Sequence, residues 1–281
     1  MNDIQMFFGL KWNPFTPNIP IDGIVPNPQW EQFFWRVENL IMDGGFAMIT
    51  GQSGLGKSVT LRALTDRISK IKEVQIQELS RPQSGLNDFY RELGQLFGLD
   101  VRTSNRYRGH ISLREKWQNH IDAAMFRPVL VVDEAQEMQI ATMSELRLLT
   151  SKKLDSQILL TVILAGDQRL PVKLQEEILL PLSTRIRTRL NLELLTKSNL
   201  TDLLIGAMAN AGRPDLMAEE LINTLTEHCL QNPRIMMGIA SEVLSLGLRK
   251  KTQQLGVELF FDLYPPSTKP KNGPPRKGGR P

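Results

Sequence analysis

The sequence contains only one cysteine, Cys229, among its 281 residues. A single cysteine cannot form an internal disulfide, so disulfide-rich secreted domains are excluded and a reducing compartment is expected. Long apolar runs are missing as well, because the longest, near residues 158–165, is far too short to span a bilayer. Residues 1–8 lack the charged and apolar regions of a signal peptide. We therefore expect a cytoplasmic protein that makes no contact with a membrane.

Acidic residues are absent from the end of the chain, and this absence explains the net charge of +4. The last seventeen residues contain five of the 34 basic residues, and without them 29 basic residues remain against 30 acidic ones. The same stretch is rich in proline and glycine, so residues 264–281 are predicted to be a disordered basic tail. The remainder, with 41% hydrophobic and 23% charged residues, has the composition of an ordinary globular protein.

A full match to the pattern G-x-x-x-x-G-K-[ST] begins at Gly51. An apolar run typical of a strand precedes it, and apolar residues at helical spacing follow it. In that setting a glycine-rich loop turns its N–H groups toward an anion at the start of a helix. The sequence therefore predicts a nucleotide site in which Lys57 contacts the β- and γ-phosphates and Ser58 ligates Mg²⁺. The predicted nucleotide-binding residues of this loop are Gly51, Gln52, Ser53, Gly54, Leu55, Gly56, Lys57 and Ser58.

Four apolar residues followed by two carboxylates form a second signature at residues 129–134. A buried parallel strand delivers its last side chains to the crevice where ligands bind in open α/β sheets. We predict that Asp133 helps to hold the metal and that Glu134 is the catalytic residue that polarises the attacking water. The next predicted strand ends at Asp167 and Gln168, so one of these two residues lies near the γ-phosphate or the attacking water, and a strand-to-helix turn with a helix cap is the alternative.

The organisation of the chain follows from its alternating patterns. Strands and helices alternate across residues 41–192, which predicts an α/β fold with a doubly wound parallel sheet. Only helical patterns follow in residues 193–263, so a small all-α lid subdomain is predicted there. Residues 1–40 are predicted to be an ordered linker packed on the core, because they are too aromatic for a disordered leader. Within the sheet domain, Ser112 and Glu115 form a capping box that predicts a helix start at Ser112.

A segment with three arginines and one separate arginine suit a phosphoryl-transfer site. Residues 183–189 alternate arginine with smaller residues, so on a strand the three guanidinium groups would share one face. An arginine supplied by a neighbouring subunit stabilises such a transition state, and we predict this catalytic role for at least one arginine of this segment, with a basic edge strand as the alternative. Arg234 lies in the first turn of a predicted helix, where the dipole disfavours a cation, and this indicates a partner such as the γ-phosphate.

A further basic stretch contains Arg102, Arg106 and Arg108, with Tyr107 beside them and no acidic residue from 101 to 114. We predict a loop here. Arginines with an interleaved aromatic suit contact with a phosphate backbone and some stacking on bases, so these three arginines are candidate DNA-binding residues. A solvated charged loop is the alternative interpretation.

Taken in order, the phosphate loop, the Asp-Glu strand, the arginine segment and the Pro-Arg helix resemble the AAA+ ATPases. Phe7-Phe8-Gly9-Leu10, the following Asn13-Pro14-Phe15 and the run Asp133-Glu134-Ala135-Gln136 are similar to the ExeA-like branch. Within that branch the chain looks most like the transposition helper ATPases that include TniB, TnsC and MuB. The resemblance covers about residues 7–250 and implies a P-loop NTPase fold with a helical lid, ATP and Mg²⁺ as cofactors, and ATP hydrolysis.

The resemblance also assigns expected roles to single residues. It implies adenine contacts at Asn13 and Phe15, a finger acting in trans at Arg185 or Arg189, and a lid sensor at Arg234. Asp167 departs from the family, because the fourth-strand sensor there is a simple Asn or Thr, which leaves the role of Asp167 open.

Three functions fit this resemblance. The first is an ATP-assembled homo-oligomer, a ring or filament, that binds double-stranded DNA without sequence preference and recruits or activates a transposase in DNA transposition. The second is an ExeA-like ATPase that energises assembly of a secretion channel. The third is a nucleotide-gated scaffold similar to a helicase loader. The basic tail favours the first, and the intact Lys57, Asp133 and Glu134 argue against an inactive scaffold.

Overall fold

Five parallel strands form the sheet at the centre of the computed structural model, which describes residues 3–101, 106–123, 126–152 and 157–265. The strands lie side by side in the order β2-β3-β6-β1-β7. Their bounds are β1 Gly45–Gly51, β2 Val74–Glu78, β3 Arg127–Val132, β6 Thr161–Gly166 and β7 Ile186–Leu192, and a separate antiparallel pair consists of β4 Ser151–Lys152 and β5 Gln157–Ile158. This is the predicted doubly wound α/β sheet, and it is confirmed.

Helices cover both faces of the sheet. The helices of this part are α2 Pro28–Asp43, α3 Lys57–Ser69, α4 Leu86–Leu96, α5 Arg106–Asp122, α6 Ile140–Thr150, α7 Arg169–Lys173 and α8 Leu180–Ser183. One core lies beneath α4, α5 and α6 and includes Phe89 and Trp117, while the other lies beneath α2 and α3 and includes Phe33 and Leu64. Strands β1 and β6 are buried along their whole length, as expected for the middle of a parallel sheet covered on both faces.

A third core joins the two ends of the described chain. It is formed by α9 Lys197–Asn210, α10 Glu219–His228, α11 Pro233–Lys250 and α12 Val257–Leu263 together with α1 Asp3–Phe8. Phe8, Leu10 and Phe15 pack in this helical core, and the Lys11 amide donates to the carbonyl of Ala211 at 2.9 Å. The expectation that the first forty residues pack on the sheet domain is therefore wrong for residues 3–15. Their aromatic side chains are buried against helices that lie some 200 residues later.

Two predicted boundaries differ from the structure. Helix α5 begins at Arg106, so the predicted start at Ser112 and the predicted loop around Arg106 and Arg108 are both wrong. The buried side of α5 continues upstream of Ser112, because Gly109 packs so closely on Val101 that a Cβ at position 109 would lie 2.6 Å from a Val101 methyl carbon. The predicted fourth strand is divided between β5 and β6. The basic tail from residue 266 and Arg102 lie outside the described residues.

Within the part of the chain that the structure describes, no helix has both the length and the apolar character needed to cross a membrane.

Candidate functional site

The predicted phosphate loop joins the end of β1 to the start of α3. Gly54 and Gly56 have φ angles of +89° and +95°, which glycine adopts without the steric cost that a side chain brings. Lys57, the first residue of α3, is only 6% exposed, and its Nζ donates to the carbonyls of Gly51 at 3.0 Å and Gln52 at 3.1 Å. The ammonium group is thus held over the loop, at the start of a helix where an anion is also favoured.

The predicted metal ligands are in direct contact. Ser58 Oγ donates to Asp133 Oδ2 at 2.8 Å, although the two residues are 75 positions apart in the chain. The other oxygen of Asp133 accepts from the backbone N–H of Glu134 at 2.9 Å, which orients the carboxylate. A hydroxyl and a carboxylate are hard oxygen donors of the kind that bind Mg²⁺ together with phosphate oxygens. These two residues therefore fit a Mg²⁺ ion.

Glu134 follows Asp133 in a left-handed backbone conformation, with φ 50° and ψ 39°. A non-glycine residue in this region costs on the order of 1–3 kcal/mol, and such residues cluster at functional sites. The Glu134 carboxylate accepts a hydrogen bond from the Gln136 amide and is exposed to solvent. It is therefore available to a water molecule beside the phosphate loop.

Gln136 is a residue of the site that sequence reasoning did not single out. It is 4% exposed, and its Oε1 accepts from the backbone N–H of Asp167 at 3.1 Å while its amide donates to Glu134. The side chain therefore links the carboxyl ends of the neighbouring strands β3 and β6. In the sequence, Gln136 appeared only as the last residue of the run Asp133-Glu134-Ala135-Gln136 that is similar to a known family, and that run does not reveal burial.

Asp167 contacts the start of α7. Its Oδ1 accepts from the backbone N–H of Arg169 at 2.8 Å, and the Arg169 guanidinium pairs with both Asp167 and Glu137. The hydrogen bond from the Arg169 side chain lowers the pKa of Asp167 below its usual value, and the positive charge of Lys57 adds to that effect. The helix-cap interpretation thus has direct contacts in the structure, and a nucleotide contact of Asp167 stays a prediction.

The arginine segment leads into the edge strand of the sheet. Strand β7 alternates buried and exposed residues from Ile186, so Arg187 and Arg189 share its exposed side while Arg185 belongs to the turn before it. Arg185 donates to the carbonyl of Pro181 at 3.0 Å, and Arg189 donates to the carbonyls of Ile186 and Ser183 at 3.1 and 3.0 Å. One shared face for all three arginines is therefore wrong, and the action of Arg185 or Arg189 in trans stays a prediction.

The start of α11 contacts the phosphate loop. An Arg234 guanidinium N–H donates to Ser53 Oγ at 3.0 Å, and the backbone N–H of Arg234 donates to the carbonyl of Gly54 at 3.3 Å. Asn232 Nδ2 donates to the carbonyl of Ser53 at 2.9 Å. Helix α11 therefore contacts the phosphate loop through Arg234, the residue for which a nucleotide contact was predicted. That nucleotide contact itself stays a prediction.

The two predicted adenine contacts lie in the segment before α2. Asn13 Oδ1 accepts from the backbone N–H of Phe15 at 3.0 Å, which closes a tight turn. Phe15 is 4% exposed and packs in the helical core, so its ring has a structural role. Adenine binding by Asn13 and Phe15 stays a prediction.

The basic stretch forms the first turns of α5. Tyr107 is 76% exposed and Arg108 is also exposed, whereas Arg114 points inward and donates to the carbonyl of Ser151. Arg106 begins the helix, and the first turn contains no acidic residue. Because α5 leads into the start of β3 and packs against this strand, the start of the helix lies toward the opposite end of β3, which is followed by Asp133. DNA binding by Arg102, Arg106 and Arg108 stays a prediction.

Comparisons with known proteins agree with this architecture. Residues 41–174 match a family model described as an AAA domain. Over 197 residues, 66% of this chain, the sequence is 29% identical to General secretion pathway protein A of Aeromonas hydrophila, and the match spans 34% of the length of that relative.

Solved structures with the same fold include two proteins of Aeropyrum pernix. The ORC2 protein, solved as ADPNP and ADP complexes, gives a TM-score of 0.68 at 13% identity over 89% of this chain and 70% of its own. The ORC1 protein in complex with DNA gives 0.66 at 12% identity over 89% of this chain and 68% of its own. The sequence match and these likenesses agree on an AAA+ P-loop NTPase fold.

Proposed function

We propose that the protein binds ATP with Mg²⁺ and hydrolyses it to ADP and phosphate. The observation that carries this proposal is the 2.8 Å contact between Ser58 and Asp133, which joins the phosphate loop to the acidic end of β3. The AAA domain match over residues 41–174 supports the same activity.

The residues of the site divide the chemistry between them. Lys57 offsets the charge of the β- and γ-phosphates, and a Mg²⁺ ion bound to Ser58 and Asp133 would neutralise more of it. Glu134 accepts a proton from the attacking water as the water oxygen bonds to the γ-phosphorus. The bond from the γ-phosphorus to the bridging oxygen breaks, and ADP leaves with that oxygen. Gln136 orients the Glu134 carboxylate through their hydrogen bond.

We further propose that turnover needs a second copy of the chain. Ile186 pairs with Phe46, at the opposite end of β1 from Gly51, so Arg185 lies about 16 Å along the strands from its own phosphate loop. That separation exceeds the length of an arginine side chain. In this scheme Arg185 reaches the phosphates of a neighbouring copy, and Arg189, on the edge strand β7 that follows, is the alternative finger.

The assembled protein is proposed to bind double-stranded DNA and to recruit or activate a transposase. The exposed Tyr107 and Arg108 and the acid-free first turn of α5 support phosphate contact by this surface. A near-neutral body binds duplex weakly as a monomer, whereas an oligomer lines up many copies of the surface. The ORC1 relative in fold was solved in complex with DNA. The chain's resemblance to transposition helper ATPases supports the transposase as partner.

The match to General secretion pathway protein A favours a second candidate function. In that case the chain would serve as the ATPase of a secretion-assembly protein, and nucleic acid would not be its partner. Because the match spans 34% of that relative, the secretion role is likewise a proposal.

Three measurements test these functions. Phosphate release from ATP should require Mg²⁺ and stop with EDTA, and an absence of release at any Mg²⁺ concentration would overturn the ATPase proposal. Electrophoretic shifts of duplex DNA in ATP, ADP and no nucleotide, at two salt concentrations, should show binding that needs ATP and falls steeply with salt. A transposase pull-down accompanies the series. Equal DNA affinity in all three states would exclude the switch, and no binding in any state would favour the secretion candidate.

A further inference from the structure

The side chain of Asn232 makes two hydrogen bonds that belong to different parts of the molecule. Its Oδ1 accepts from the backbone N–H of Arg234 at 3.0 Å and so caps α11. Its Nδ2 donates to the carbonyl of Ser53, at the tip of the phosphate loop, at 2.9 Å. We infer that Asn232 is a positioning residue, whose amide holds the phosphate loop in the form that receives a triphosphate; this inference rests on the proposed nucleotide binding.

The backbone of the loop explains why such a residue is needed. A loop that turns its N–H groups toward an anion turns its carbonyl groups outward, and those carbonyls need donors. Lys57 supplies them for Gly51 and Gln52. The start of α11 supplies them for the next two residues, through Asn232 to Ser53 and through the Arg234 N–H to Gly54.

The contact is close enough to restrict the sequence on both sides. A Cβ on Gly54 would lie 2.3 Å from Asn232 Oδ1, so any other residue there would push the helix away from the loop. On the other side, Leu230 and Gln231 both have left-handed backbones, with φ 52° and 57°. Such conformations are costly for residues with side chains, and these two turn the chain so that Asn232 meets the loop.

Asparagine combines the two properties that this position uses. Serine and aspartate cap helices about as well as asparagine, because each has an oxygen that accepts from the helix N–H groups. Neither can donate from a second atom as the asparagine amide does. Asn232→Ser and Asn232→Asp therefore keep the cap and remove the donor to Ser53.

The chain offers a matched control in Asn27, which caps α2, precedes a proline as Asn232 does, and accepts from the Gln29 N–H at 2.9 Å. In nucleotide-free protein we expect Asn232→Ser to speed hydrogen exchange of the backbone amides in residues 51–58 about tenfold, because one hydrogen bond to the loop is lost. Affinity for a fluorescent ATP analogue with Mg²⁺ should fall about tenfold as well. Asn27→Ser should change neither quantity.

Asn232→Asp keeps the test decisive if the serine variant fails to fold, and its negative charge near the phosphates should weaken analogue binding more than serine does. Exchange in residues 51–58 equal to that of the wild type in both variants would overturn the inference. If the wild type binds the analogue and both variants bind it with the same affinity as the wild type, the inference would be overturned too. A wild type that binds no analogue would refute the proposed function instead, and the exchange measurement, which uses no nucleotide, would still decide the role of Asn232.

Discussion

The phosphate loop and the first turn of α5 differ in how their cations are held. Lys57 is 6% exposed and has two hydrogen bonds to loop carbonyls, and Arg234 contacts Ser53. At the start of α5 the cationic side chain is that of Arg108, which is exposed, and the neighbouring Tyr107 is 76% exposed. A charge held in a fixed, partly desolvated position interacts strongly with one anion, whereas an exposed charge interacts weakly and is screened by salt.

The two regions should therefore respond differently to substitution. At the phosphate loop and the residues that complete it, one changed side chain should remove most of an activity. At the start of α5, each charge should contribute a small share that adds to the others and depends on how many copies assemble. Substitutions of both kinds, taken from the largest expected effect to the smallest, test this contrast.

The largest effect is expected at the edge strand. Arg185→Ala alone should lower ATP turnover at least about a thousandfold, since a finger arginine stabilises charge only in the transition state. Mixing this variant with Lys57→Ala should restore part of the turnover through hybrid interfaces, measured as phosphate release across mixing ratios. Arg189→Ala is tested in the same way. Arg187→Ala, an exposed residue of the same strand, is the control that should remain active. If no ratio rescues either variant, neither arginine acts in trans, and the segment is a basic, solvated edge of the sheet.

Glu134→Gln should slow turnover by about a hundredfold to ten-thousandfold while ATP still binds, because an amide cannot accept the proton of the attacking water. Asp133 would still serve the metal, so an ATP-bound oligomer should accumulate. Single-turnover hydrolysis and sedimentation with and without ATP measure the two consequences. The variant Glu137→Gln, which changes an exposed carboxylate three residues later in the chain, should hydrolyse ATP normally. If the Glu134→Gln protein sediments as the same monomer with and without ATP, that result would contradict ATP-driven assembly.

Lys57→Ala should weaken ATP binding about a hundredfold, because a charge-assisted contact to the phosphates is lost from a buried position. A titration with a fluorescent ATP analogue measures the change. Lys70→Ala is a suitable control, because Lys70 lies at the far end of the same helix, is exposed and pairs with Asp66. Wild-type affinity in the Lys57 variant would reject the assignment of this loop as the nucleotide site.

Sequence reasoning predicted the parts of the site that are formed by residues adjacent in the chain or by residues at the ends of strands. Gly51 to Ser58 form one contiguous loop, and Asp133 reaches Ser58 because parallel strands deliver their last residues to one edge. Asn232 was not predicted as a contact of Ser53, because the two are 179 residues apart and meet only when the helical part docks. Sequence spacing contains no information about that docking.

The same reason explains the errors in the fold. The first helix joins the helical core through contacts such as that of Arg213 with the carbonyl of Phe8, which are 205 residues apart in the chain. At α5 the predicted start was wrong because packing outweighed a local sequence rule. Ser112 and Glu115 satisfy a capping box, but Gly109 is buried against Val101, and the helix extends upstream to include Gly109. Tertiary contact outweighed a cap that is worth only about 1 kcal/mol.

The smallest effects per residue are expected for DNA binding. Arg108→Gln should weaken binding of duplex DNA only a few-fold in the presence of ATP and lower the slope of log affinity against log salt by about one, since one phosphate contact is lost. Changing Arg102, Arg106 and Arg108 together should weaken it further, and more than deletion of residues 265–281, because α5 packs against the sheet and holds its first turn in place. Electrophoretic shifts at several salt concentrations measure both quantities.

A control for that experiment is Arg36→Gln, an exposed arginine on α2, on the other face of the sheet. ATP hydrolysis without DNA should be unchanged in all of these variants, because none of the residues is part of the nucleotide site. If Arg108→Gln abolished DNA binding outright, the start of α5 would act as a preorganised site like the phosphate loop, and the contrast between the two regions would fail. If Arg36→Gln matched Arg108→Gln in its salt slope, the binding would come from overall charge and the first turn of α5 would have no special role.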